Sequence, residues 1–239
     1  MSQAIAPGAV VETREQVKLL LEEGGLHGRT LAGFDCSGLR IDRARLDDAR
    51  FERMTLAGAL FGVADLGRTR FSRVDLRNAR FDSAVLVDAL FEDVDLTEAI
   101  LGGAHAERVV FHRSMLANVV LSGARLIDVA FTEVNLYGAK LDAATLVRCS
   151  FTDPRPHIGV ELTRANLKGA VLIDCDLRGA NLARAELGSA LLIRCNLDGA
   201  QLSGADATGT RLVACSTSGA DLPDPLRTQR AEPQEGSRP

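Results

Sequence analysis

The chain has 239 residues, 46% hydrophobic and 25% charged, with a formal net charge of −4. That balance suits a soluble folded protein, gives no strong basic field to attract nucleic acid, and includes no run of about 18 apolar residues that could cross a membrane. Aromatic content is only 4%, with one Tyr and no Trp, beside 22 Gly and abundant Ala; such a composition points to a narrow interior filled by small side chains.

In chain order, "MSQAIAPGAVVETREQ" lacks a charged segment followed by an apolar one, so no signal peptide is expected. Residues 13–23, "TREQVKLLLEE", read as a short helix. Thr13 and Gln16 stand at capping-box spacing; Val17, Leu20 and Leu21 supply an apolar face, and Gly24-Gly25 end it. Residues 1–25 form an N-terminal segment whose helix is expected to cap the open end of the repeats that begin at Leu26.

From Leu26 a five-residue count holds. Call its apolar position i. Between 26 and 151 it is Leu, Ile or Phe at 24 of 26 places, Cys36 and Ala106 being the exceptions. Position i−2 is small, as at Ala44, Ala64, Val74 and Ala99, and i−1 is often Asp or Asn: "ADL" 64–66, "VDL" 74–76, "VNL" 134–136, "ANL" 165–167. A helix needs apolar spacings of 3 and 4, and a long strand needs strict alternation. Period five fits a very short extended piece with i−2 and i inward and i−1 and i+1 outward, followed each time by a turn.

These repeats resemble the pentapeptide-repeat family, whose motif is A(D/N)LXX, over roughly residues 26–222. The resemblance implies an all-β fold, a right-handed quadrilateral β-helix of about ten coils, in which residues 20 apart stack at the ordinary inter-strand spacing of about 4.8 Å. Neighbouring coils then carry most of the stability.

The count slips at "SFTDPRPHIGVELTRANL": Phe151 and Leu162 are eleven apart. On the face with i at 46, 66, 86, 106, 126 and 146, position i+2 reads Asp48, Arg68, Asp88, Arg108, Asp128, Arg148. If six residues are inserted, the series continues as Asp174 and Arg194, and Cys149 falls under Cys175, Cys195 and Cys215. If one is inserted, both patterns fail. The sequence therefore predicts a loop at 154–159, with Pro154 and Pro156 suited to irregular backbone. The alternating ladder reads as a register-keeping device.

The same face carries an outward apolar stripe: Val87, Ile127, Val147, Ile173, Ile193 and Val213 at i+1, with Val171 and Leu191 at i−1. Contiguous apolar patches on a wet face mark interaction sites; β-branched residues also simply suit strands. The stripe and the loop residues Pro154, Arg155, Pro156 and His157 are the candidate partner contacts, expected to form one surface. Phe51, Phe71, Phe91, Phe111, Phe131 and Phe151 share one interior face, and Phe61 and Phe81 the opposite one. The five cysteines show no zinc spacing; they read as small buried hydrophobes in a reducing, cytoplasmic setting. No nucleophile–base set, phosphate loop or cofactor motif is found, so no enzyme, metal or cofactor is expected.

After Leu222 the stretch "PDPLRTQRAEPQEGSRP" reads as a disordered tail over 223–239. The last coil is then an uncovered edge through which two chains could pair. Two roles follow from the resemblance. One is a non-catalytic protein-binding scaffold or adaptor, of the kind that accompanies bacterial secretion systems or their effectors. The other is that of the branch resembling B-form DNA, which binds DNA gyrase or topoisomerase IV and protects against topoisomerase poisons. The repeats hold 17 acidic and 16 basic residues over 26–151 and six of each over 162–222, whereas a duplex mimic needs strong negative potential. That favours the scaffold.

Overall fold

The computed structural model describes residues 10–154 and 159–231. Every five-residue unit is built alike. Around Leu66, Asp65 N–H donates to Ala44 C=O of the coil before (3.1 Å), and Leu66 and Arg68 N–H donate to Val85 and Val87 C=O of the coil after (2.9 and 2.7 Å). Thr69 N–H then closes the corner on Leu66 C=O (3.1 Å). The residue at i+2 takes a left-handed conformation, as at Arg68 (φ 56°) and Asp88 (φ 59°), which this kind of corner requires. Among the described residues Val63 (φ 57°) is the one β-branched side chain held there.

Four such units make one square turn, and about ten turns stack as a parallel β-solenoid. Two faces are regular enough to form sheets. One has eight strands, from Val10–Val11 through Thr30–Ala32 to Ser150–Thr152; the other has seven, from Val85–Val87 to Arg211–Val213. Pairing is parallel and in register. Phe51 lies beside Phe71, an offset of 20 residues. Across the break Leu146 pairs with Leu172, and Leu172 pairs with Leu192. The chain has therefore gained six residues, and the solenoid continues above the insertion without a fault. Thr152 and Gly159 bridge antiparallel to form its neck.

The interior is a column of apolar layers. Phe51, Phe71, Phe91, Phe111, Phe131 and Phe151 stack at centroid spacings of 4.8–5.3 Å. Phe61 and Phe81 stack at 4.6 Å and meet the first column edge-on at about 6.3 Å, a favoured aromatic geometry. Ala at i−2 is buried in nearly every coil, Ala44 and Ala220 near the two ends being only partly so, because the facing walls leave room for little more than a small side chain.

Both ends are covered. At the N-terminus α1 (Arg14–Glu22) starts at Thr13 with a complete capping box to Gln16 and buries Val17 and Leu20 against the first coil. Before it, Val10–Val11 pairs with Thr30 and Leu31 and adds one strand that the repeat count does not reveal. At the C-terminus the structure corrects the reading of an open edge and an unstructured tail from 223. Residues Asp224–Arg227 form α2 and Thr228–Ala231 a 3₁₀ turn, and Leu226 is buried. The Gln229 side chain replaces a missing strand: its Oε1 accepts from Leu212 N–H (2.9 Å) and its Nε2 donates to Thr210 C=O (2.7 Å). One side-chain amide thus satisfies an edge strand as the peptide of a further coil would. Residues 232–239 lie outside the described residues.

Candidate partner-binding face

The seven-stranded face presents its i−1 and i+1 side chains outward. Val87, Ile127, Val147, Val171, Ile173, Leu191 and Ile193 are half-buried by their neighbours in the row, and Val213 on the last coil is 40% exposed. In-register pairing sets Val147 beside Ile173, Ile173 beside Ile193, and Ile193 beside Val213, with Val171 and Leu191 adjacent in a second row. Val85, 39% exposed at i−1 of the first strand, stands on the same face but is separated from Val171 in the second row by His105, Arg125 and Thr145.

One edge of this face carries the charged residues at i+2. They form four separate pairs rather than a continuous chain. Arg68 donates through Nε and Nη2 to the two oxygens of Asp48 (2.8 and 2.7 Å), Arg108 to Asp88 (2.6 and 3.0 Å), Arg148 to Asp128 (2.6 and 2.7 Å) and Arg194 to Asp174 (2.6 and 2.7 Å). Each arginine reaches back one coil. The next aspartate feels it only through space, as Asp88 feels Arg68 and Asp174 feels Arg148. The hydrogen bond from its own arginine holds each of the four carboxyls below the ordinary range. Arg108 also contacts Glu107.

The corner from which the insertion leaves does not border the stripe. Around a square coil the order is stripe, ladder corner, phenylalanine face, then the corner at Asp153 where the insertion leaves. Asp153 and Gly159 instead line a groove of about 750 Å³ with Asp93, Asp95, Arg113, Glu133 and Glu161. A full face separates it from Ile173, so the two do not make one surface. Pro154 is exposed; Arg155, Pro156 and His157 lie outside the described residues. Gly159 is pressed against the next coil: a Cβ there would sit 1.7 Å from Gly179 O.

The cysteines stack as the register requires. Cys149, Cys175 and Cys195 are buried and Cys215 partly so, and all five are free thiols. Each of the four stacked thiols donates to a carbonyl of the coil before, as Cys195 Sγ does to Leu172 O (3.4 Å). Among the described residues one group, His27, Asp47 and Asp48, has ligand atoms close enough for a metal ion; Asp48 is already held by Arg68 there. No helix of the described chain is long and apolar enough to cross a membrane.

A four-sided parallel solenoid with a filled interior defines this chain as a repeat protein. The sequence profile of pentapeptide repeats matches eight copies over 44–153 and 161–222, and the chain belongs to the pentapeptide-repeat family. No curated protein is a significant match. Among solved structures, full-length QnrB1, a plasmid-mediated fluoroquinolone resistance protein, is 20% identical with a TM-score of 0.52, covering 84% of this chain and 96% of that one. A trypsin-treated form is 22% identical with a TM-score of 0.56, covering 86% and 97%. HetL of the cyanobacterium Nostoc sp. strain PCC 7120, involved in heterocyst differentiation regulation, is 27% identical over 84% of this chain and 90% of that one, with a TM-score of 0.33.

Proposed function

We propose that this protein is a non-catalytic, protein-binding scaffold whose recognition surface is the apolar stripe of the seven-stranded face. The observation that carries the reading is the row Ile127, Val147, Ile173, Ile193 and Val213, held in register with Val171 and Leu191 beside it. Adjacent strands about 4.8 Å apart make this a flat, rigid, apolar surface, and rigid surfaces lose little entropy on binding. The interior is solid, and the grooves on the outside are shallow corners between coils. The scaffold setting, an adaptor for a bacterial secretion system or its effectors in the cytoplasm, rests on the family resemblance.

The test is capture by immobilised protein, comparing wild type with Ile173→Asp combined with Ile193→Asp. Both side chains point out, so thermal stability should hold within a few degrees while capture is lost. Unchanged capture by a folded double variant would remove the stripe as the site.

A second reading, binding to DNA gyrase or topoisomerase IV, is supported by the architecture shared with QnrB1. The near balance of charge along the repeats weighs against duplex mimicry. Titration into a gyrase supercoiling assay with and without a fluoroquinolone separates the two: inhibition or drug protection at low micromolar protein supports topoisomerase binding, and no effect at large molar excess supports the scaffold.

A further inference from the structure

Resting on the reading that the stripe is an interaction face, we infer that its partner is a second copy of this chain, docked side by side with the two rods parallel and related by a two-fold axis along their length. The argument starts from the corners of the face. One corner is the bulky ladder Asp88, Arg108, Asp128, Arg148, Asp174, Arg194. The other, three residues before i, reads Ser83, Gly103, Gly123, Ala143, Gly169, Ser189, Gly209. These are the same left-handed corner positions (φ 54–69°) at which other corners carry Arg53, Arg73 or Arg164. The small series begins where the apolar strands begin, at Val85, and ends where they end, at Val213. Toward the N-terminus the corner becomes Val63 and Arg43, and the face itself becomes polar, with Arg45, Asp47 and Asp65.

A two-fold axis parallel to the rod keeps each coil opposite itself and exchanges left with right. The protruding ladder of each copy then lies along the recessed glycine corner of the other, on both sides of the contact. Residue i−1 faces i+1 of the same coil: Val171 meets Ile173, Leu191 meets Ile193, Val85 meets Val87. His105 meets Glu107, twice by symmetry, giving a complementary polar pair at the one coil whose i+1 residue is not apolar. Arg125 and Arg211 lie over Ile127 and Val213, which their aliphatic stems can cover. Turning one rod end for end would instead set ladder against ladder and small corner against small corner, so the parallel arrangement is the favoured one. The ladder charges enter this contact already paired in bidentate fashion, so no lone charge is desolvated at the rim. Seven strands at about 4.8 Å and a face roughly 15 Å wide give on the order of 900 Å² for both copies before side-chain relief is added, the size of a weak, reversible interface.

The experiment is sedimentation velocity at tens of micromolar on the full chain and three single variants. Ala143→Arg fills the recessed corner, Ile193→Asp spoils the stripe, and Asn118→Arg places the same arginine at an equivalent left-handed position (φ 56°) on another corner. Wild type and Asn118→Arg should sediment as dimers, and the other two should dissociate at least about tenfold more readily, the effect of one interface clash. Should Ala143→Arg lose its β circular dichroism, Ser189→Arg repeats the corner test. A monomeric wild type overturns the self-pairing; if capture still depends on Ile173 and Ile193, the stripe remains a site for another protein. A dimer indifferent to both Ala143→Arg and Ile193→Asp overturns the inference as well and moves self-association elsewhere on the rod.

Discussion

Replacing Val63 by glycine should stabilise the protein, which is unusual for a valine-to-glycine change. Val63 sits at φ 57° and is 59% exposed. Left-handed backbone costs an L-residue roughly 1–2 kcal/mol, and a β-branched side chain is the least suited to it. Glycine removes that strain and in exchange adds about 0.4–1 kcal/mol of unfolded-state entropy. Little burial is lost, because the side chain is mostly in water, and the Val63 N–H bond to Asp82 C=O (2.9 Å) does not involve the side chain. The difference is a gain of about 1 kcal/mol, or some 2–4 °C in Tm for a chain of this size. Thermal unfolding followed by circular dichroism measures it. Val63→Asn should move the same way by less, since asparagine tolerates this region better than valine. A lower Tm for Val63→Gly would refute the reasoning and show that valine is held there by contacts worth more than the strain.

Other outcomes rest on named contacts. Gln229→Glu should lower Tm and promote self-association more than Gln229→Ala, because an oxygen would replace the Nε2 that donates to Thr210 C=O; size-exclusion elution at rising concentration reads it, and Glu behaving better than Ala would count against the strand mimicry. Gly159→Ala should cost about 1–3 kcal/mol by overpacking, since its Cβ would overlap Gly179, whereas deleting 154–159 outright should leave β circular dichroism and solubility intact; the reverse order would mean that the insertion is not a bulge. Asp48, Asp88, Asp128 and Asp174 have folded-state pKa values below the ordinary 3.8. Their contribution is fully present above that value and is lost as pH falls through the depressed one, so Tm should stay flat from neutral pH to about 4 and drop below it, and Asp174→Asn should soften that drop. Cys36, Cys149, Cys175 and Cys195 are buried and Cys215 only partly so; a thiol reagent at pH 8 should therefore modify Cys215 first, slowly because the neighbouring Cys195 thiol and burial hold its pKa up, and the other cysteines only on unfolding.

Most of the architecture is carried by local pattern. Period five with a small residue at i−2 admits no helix and no long strand, and the Asp–Arg alternation with the cysteine column decides the register at 154–159 from the sequence alone. Each of these depends only on residues 5 or 20 apart, which is why a linear reading reaches them. The capping box at Thr13 and Gln16 is similarly local. What the tertiary structure decided is of another kind. Whether the ladder is one chain of charges or four pairs depends on which coil each guanidinium leans toward, and that is a matter of three-dimensional side-chain geometry. That the loop corner lies a full face from the stripe depends on the order of faces around a closed turn. The C-terminal cap was invisible because α2 is a single turn, too short to show periodicity, and because Gln229 acts through one side-chain amide that only a neighbouring edge strand makes meaningful. The pairing of a bulky corner with a recessed one also emerges only when two columns of residues, five apart in sequence, become the two borders of a single flat face.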